Sequence, residues 1–272
     1  MIKDRIFYLV IFLAICACAP NYEAELRKIP EYLQLTKDIE KYDTFKNFPP
    51  MALWRLLIDG RKQSKGPLVF DDEEPGYLAG LSRGLSYVLE NKDAPLTVES
   101  IEEIRRRATE DVGKIDRTFF NKEIGGNRVS FELAIGSNAT PDGIYDLKEK
   151  MKNDPNRSVA KNDEGKLELR RRKMTRAELY PLVKKILDNY EKSAKSIRDM
   201  IMLCQDLDQL HPFNDGNIRT FVILLLQKEL ARMGKTPVIQ YNPNRFDAYS
   251  IDELEKEIHR SQRNFESYLS QP

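Results

Sequence analysis

The chain has 272 residues, and 44 Lys and Arg against 43 Asp and Glu leave a formal charge of +1. So even a balance supplies no broad basic field, which argues against nucleic acid as a principal partner. With 41% hydrophobic residues, 13 Gly and 14 Pro, the composition excludes a disordered, collagen-like or multi-span membrane chain.

The first segment, MIKDRIFYLVIFLAICACAP, opens with charges, runs through roughly a dozen apolar residues and closes on small ones. That run falls short of the roughly 20 residues that span a bilayer. Residues 1–17 are therefore expected to be a signal peptide or a membrane anchor. Ile15-Cys16-Ala17-Cys18 resembles a bacterial lipobox, which would make Cys18 the lipidated first residue of the mature chain. The expected location is then the cell envelope, lipid-anchored and extracytoplasmic, with delivery to another cell or a cytoplasmic place as alternatives. Residues 18–48 read as a tether and N-terminal helix. Cys204 falls on an apolar stripe and reads as a buried thiol.

The body, residues 49–272, is dominated by helical periodicity. Residues 51–60 follow a double proline and stop at a glycine. Residues 76–91 carry Leu78, Leu81, Leu85, Val88 and Leu89 on one face. Thr97 is placed as the N-cap of a helix through about Glu110, with Arg105, Arg106 and Arg107 late, where they complement the dipole and face solvent. Residues 128–135 alternate and 143–147 follow a turn-rich stretch, so 128–147 is expected to be a β-hairpin. Residues 153–166 read as loop, and LELRRRK as a short edge strand. Thr175 and Glu178 form a capping-box pattern for a helix to about Ser193, with Pro181 uncomfortably deep inside it.

Ile197, Ile201, Cys204, Leu207 and His211 step by four, three, three and four residues, so His211 arrives on the core side of a helix as it ends. Pro212 and Gly216 break that helix, and the next, about 217–233, contains the unbroken apolar run 221–226 that a buried helix requires. The pattern aims a turn and a helix N-terminus at one place. Free N–H groups there bind phosphates. Gly216 permits close approach, Arg219 adds a charged fork, Asp215 is a hard oxygen ligand suited to Mg²⁺, and His211 can accept a proton.

The run from His211 to Arg219, HPFNDGNIR, resembles the signature of the Fic (Fic/Doc) family, HPFx(D/E)GNGRxxR. The resemblance extends over about residues 75–235. It implies a mainly α fold, a Fic-type helical domain with a small β-hairpin flap, followed by a C-terminal helical extension. It also implies a protein adenylyltransferase-like enzyme that moves AMP from ATP, with Mg²⁺, to a Ser, Thr or Tyr hydroxyl of a protein. His211 and Asn217 would be catalytic, His211 as the general base. Asp215 would hold the metal, and Asp215, Gly216, Asn217 and Arg219 the nucleotide. The protein target would dock along the 128–147 hairpin. Ser86–Asn91 is similar to the family's inhibitory helix, which would make Glu90 a regulatory residue. Ile218 and Val222 depart from the signature at a glycine and an arginine. The alternatives are therefore a catalytically silent nucleotide- or peptide-binding module, or a phosphocholine or phosphoryl transferase.

Overall fold

A computed structural model of the chain describes residues 22–112, 124–125 and 128–270. The expected signal segment and Cys18 lie outside these residues. The fold is mainly helical with one small antiparallel sheet. Helices α1 (Tyr22–Leu26) and α2 (Pro30–Asp38) lead into a 3₁₀ helix over Pro50–Leu56, where the sequence pattern predicts an ordinary helical face. Next come α3 (Tyr77–Glu90) and α4 (Val98–Thr109), which pack closely on each other. Thr97 caps α4 as expected, accepting the Ser100 N–H at 3.1 Å.

The sheet differs from the expected hairpin. Strand β1 (Val129–Glu132) falls where alternation places it, but residues 143–147 belong to helix α5 (Pro141–Met151). Thr140 accepts the Gly143 N–H, and Pro141 occupies the first turn, a start signal that outweighs the turn-rich lead-in read as a hairpin connection. The hairpin is made instead by β2 (Arg157–Lys161), in the stretch read as loop, and β3 (Leu167–Arg171). β3 is central in the order β1-β3-β2, not an edge, with Phe131 and Val159 both opposite Leu169. The sheet and α5 share a small core of their own around Leu133, Ile144, Leu147 and Leu169.

Helices α6 (Arg176–Glu191) and α7 (Ile197–Leu210) each open with a capping box, and Pro181 is accommodated inside α6. The expected helix over 217–233 is present in two registers: a π-helical segment over Ile218–Leu225, then α8 (Leu226–Arg232). The widened turn is real in the hydrogen bonding, since the Leu226 N–H reaches the Phe221 carbonyl five residues back. Phe221, Val222, Leu224, Leu225 and Leu226 are fully buried against α3, α4 and α7. Gly234, at φ 63°, terminates α8 as predicted. Helix α9 (Ile251–Leu269) closes the molecule over Phe45 and Phe48 through Phe265. Among the described residues no helix is long and apolar enough to cross a membrane.

Candidate functional site

His211 stands immediately after α7 in a left-handed conformation, φ 50°, with its N–H bonded to the carbonyls of Leu207 at 3.1 Å and Asp208 at 3.0 Å. A non-glycine residue held there is uncommon and costs backbone energy, which the surrounding packing must offset. The ring is tilted against Phe131 of β1, centroids 5.5 Å apart. Burial first, and the nearby Arg171 guanidinium second, lower the imidazole pKa to about 4; Asp215 and the Asp208 backbone oppose them. The side chain is thus a neutral proton acceptor at physiological pH. Its Nδ1 is buried without a hydrogen-bond partner.

The loop after His211 is anchored from inside. Phe213 is fully buried and stacked with Phe221 at 5.9 Å. The Asn217 carboxamide spans the loop, accepting from the Phe213 N–H at 3.1 Å and donating to the Phe213 carbonyl at 2.9 Å. Both ends of that side chain are engaged, so what Asn217 presents to a ligand is its place at the start of the helix. Gly216 adopts φ 79°, and its N–H bonds the Asp215 carboxylate at 2.6 Å. A side chain there would be strained in any case.

Arg105 corrects the reading of the arginine run. Arg106 and Arg107 pair with Glu103 near the surface, as expected of a helix end. Arg105 instead is 1% exposed beneath the loop, its Nε 3.4 Å from the Asp215 carbonyl and its guanidinium 5.1 Å from the Phe213 ring centroid. Ile101, Ile104 and Ala108 are buried with it, so position 105 shares their inward face. That spacing was the available signal.

A cavity of about 240 Å³ joins these parts; His211, Asp215, Gly216, Asn217, Ile218 and Arg219 line it. Its far wall comes from segments the motif does not include: Asp59, Arg61, Lys62, Phe70 and Tyr77. Arg219 is bonded by the Glu74 carboxylate and lies 4.7 Å over the Tyr77 ring. Glu74, not Glu90, is the glutamate at the site. Glu90 lies exposed at the opposite end of α3, where its charge acts on Lys41 and Tyr42. Val222 is fully buried and points no charge into the cavity.

Among the described residues no group of three or more His, Cys, Asp and Glu is placed to hold a metal ion. Asp215 supplies a single carboxylate. That donor set fits a Mg²⁺ ion that takes its other ligands from phosphate and water, as this ion commonly does.

No protein-family model matches the chain. Over 269 residues it is 27% identical to the phosphocholine transferase AnkX of Legionella pneumophila, a match that covers 76% of this chain. It covers 27% of that protein, so the chain spans about a quarter of this relative's length.

Proposed function

We propose that the chain transfers a phosphate-linked group from a nucleotide donor to a hydroxyl of a protein, with His211 as the general base. The observation that carries this reading is a partly buried histidine lining the same cavity as the helix N-terminus that follows Gly216. The target hydroxyl gives its proton to His211, its oxygen bonds to phosphorus, and the phosphoanhydride bond breaks to release the remaining nucleotide. Gly216 and the first helical turn, with Arg219, hold the phosphate oxygens; Asn217 keeps the loop in shape. Asp215 would hold Mg²⁺, which supplies charge neutralisation at the phosphates when bound. The target segment pairs with β1, whose outer edge has no strand beside it among the described residues and whose Phe131 touches His211.

The favoured donor is CDP-choline, with phosphocholine transferred and CMP released. A fully buried valine at 222 offers nothing to the terminal phosphate of a triphosphate, whereas a diphosphate-linked donor needs no such partner. The likeness to a phosphocholine transferase supports the same choice. The test is incubation of the chain with Mg²⁺, a cell protein extract and either labelled CDP-choline or labelled ATP, followed by mass spectrometry of modified peptides. Phosphocholine on Ser, Thr or Tyr, lost by roughly 10²–10⁴ in rate in His211→Ala, is expected. Label from ATP alone would reassign the donor to AMP transfer. No transfer from either would leave a silent binding module. We further propose that Cys18 anchors the chain in the cell envelope; palmitate labelling lost in Cys18→Ser is the measurement.

A further inference from the structure

Position 222 and the turn that carries Lys62 are joined through one residue. The Gln240 side-chain amide donates to the Val222 carbonyl at 2.6 Å. The Gln240 backbone carbonyl accepts the Gly60 N–H at 2.9 Å, and the Tyr241 carbonyl accepts the Arg61 N–H at 3.1 Å. Gly60 is needed for this approach, because a Cβ there would meet the Gln240 oxygen at 2.8 Å. Turn 59–62 is thereby tied to the helical turn that presents a valine in place of an arginine.

That turn brings two cations to the cavity wall, and they are not equivalent. Arg61 is neutralised by a two-point contact with Asp59, at 2.6 and 3.2 Å. Arg219, across the cavity, is neutralised by Glu74. Lys62 forms no ion pair among the described residues; its ammonium rests 4.4 Å from the Phe70 ring centroid. Phe70 is itself stacked on Tyr77 at 4.5 Å, so the aromatic pair is a fixed platform. A cation on a partly exposed ring is held only weakly. An anion in the cavity therefore outcompetes the ring, and the flexible four-carbon stem lets the ammonium follow.

We infer that Lys62 binds the second phosphate of a nucleoside diphosphate donor, supplying from the 59–62 turn the charge that Val222 lacks. The inference rests on the nucleotide-donor reading, and the experiment separates the two. Affinities of CDP and CMP, each with Mg²⁺, are measured by calorimetry on the full chain. Lys62→Met is expected to weaken CDP about tenfold and to leave CMP within about twofold, while Lys62→Arg restores CDP binding. Lys65→Met, an exposed lysine outside the cavity wall, is expected to change neither. CDP binding unchanged by Lys62→Met, equal losses for CMP and CDP, or an equal effect of Lys65→Met would each overturn the assignment alone. Wild-type chain that binds neither nucleotide would overturn the donor reading, and this assignment with it.

Discussion

The carboxylate of Glu74, in the loop ahead of α3, holds the guanidinium of Arg219 over the Tyr77 ring. Both groups are partly buried, 25% and 11% exposed at their side chains, and Arg219 also lines the cavity. A phosphate that binds Arg219 must therefore displace a carboxylate or share the arginine with it.

That relationship predicts a gain. Glu74→Gln keeps the shape and removes the competing charge, so donor affinity is expected to rise about fivefold, on the order of 1 kcal/mol for a partly screened pair. Glu90→Gln, exposed beside Lys41, should alter affinity and turnover by less than about threefold, under roughly 0.7 kcal/mol. Calorimetry with CDP across wild type and both variants decides between the two glutamates. A larger effect at Glu90 would return regulation to that end of α3.

The histidine pair makes the state of His211 directly measurable. His259 is exposed on α9, and His259→Gln leaves one imidazole in the chain. Its NMR titration should show a neutral ring at pH 6 and an apparent pKa near 4. Because the folded value lies below the ordinary 6.5, the unfolded chain binds this proton first. Stability is therefore lost as pH falls from about 6.5 toward 4, by roughly 3 kcal/mol from this group. A midpoint at 6.5 would mean that the ring is solvated.

Gly216 tests the turn. At φ 79° an added methyl group is strained and lies 3.2 Å from Thr109 Cγ2. Gly216→Ala should cost about 1–2 kcal/mol in urea unfolding and disturb phosphate binding with it. Wild-type stability would show that the loop takes a second conformation.

Beneath His211, one turn back on α7, Asp208 is buried against Asp247, and among the described residues its oxygens meet no other donor. Cys204, also buried, feels the Asp208 charge, after burial and Glu229. Asp247 in turn accepts the Asn138 amide at 2.6 Å, and Asn138 donates to the Glu132 carbonyl at 2.9 Å, so the carboxyl pair links α7 to β1. Burial and mutual repulsion raise the Asp208 pKa well above its usual range; burial, resisted by Asn138, raises Asp247 to about 6. With folded values above the ordinary 3.8, both carboxyls contribute stability that is full below about pH 4 and falls as pH rises, the Asp247 share through about pH 6. Asp208→Asn should flatten this dependence and make the chain more stable than wild type at pH 8, as measured by urea unfolding at pH 5 and 8. The same slope in both proteins would show that the pair does not share a proton.

Much of the framework was legible without coordinates. Helices α3, α4, α6 and α7 follow from apolar spacing and from caps such as Thr97 and Thr175, each an interaction between residues three or four apart. The site's centre was legible for the same reason. His211, Asp215, Gly216 and Arg219 lie within nine consecutive residues, so a helix end, a turn and a helix start bring them together whatever surrounds them. Where two local signals competed, the stronger cap won, and Thr140-Pro141 made a helix of a stretch that follows turn residues as a hairpin strand would.

What the sequence could not state is which distant group meets each charge. Glu74 and Arg219 are 145 residues apart, and Arg105 and Asp215 are 110. The local pattern at Ser86–Asn91 singles out Glu90 rather than Glu74, and nothing local separates Lys62 from the other surface lysines. Only the packing of α3 and turn 59–62 against the buried helix at 218–225 places one glutamate on Arg219, leaves the other in solvent, and brings Lys62, which has no ion pair among the described residues, to the cavity wall. Backbone conformation answers to neighbours a few residues away, whereas Coulomb energy answers to distance in space.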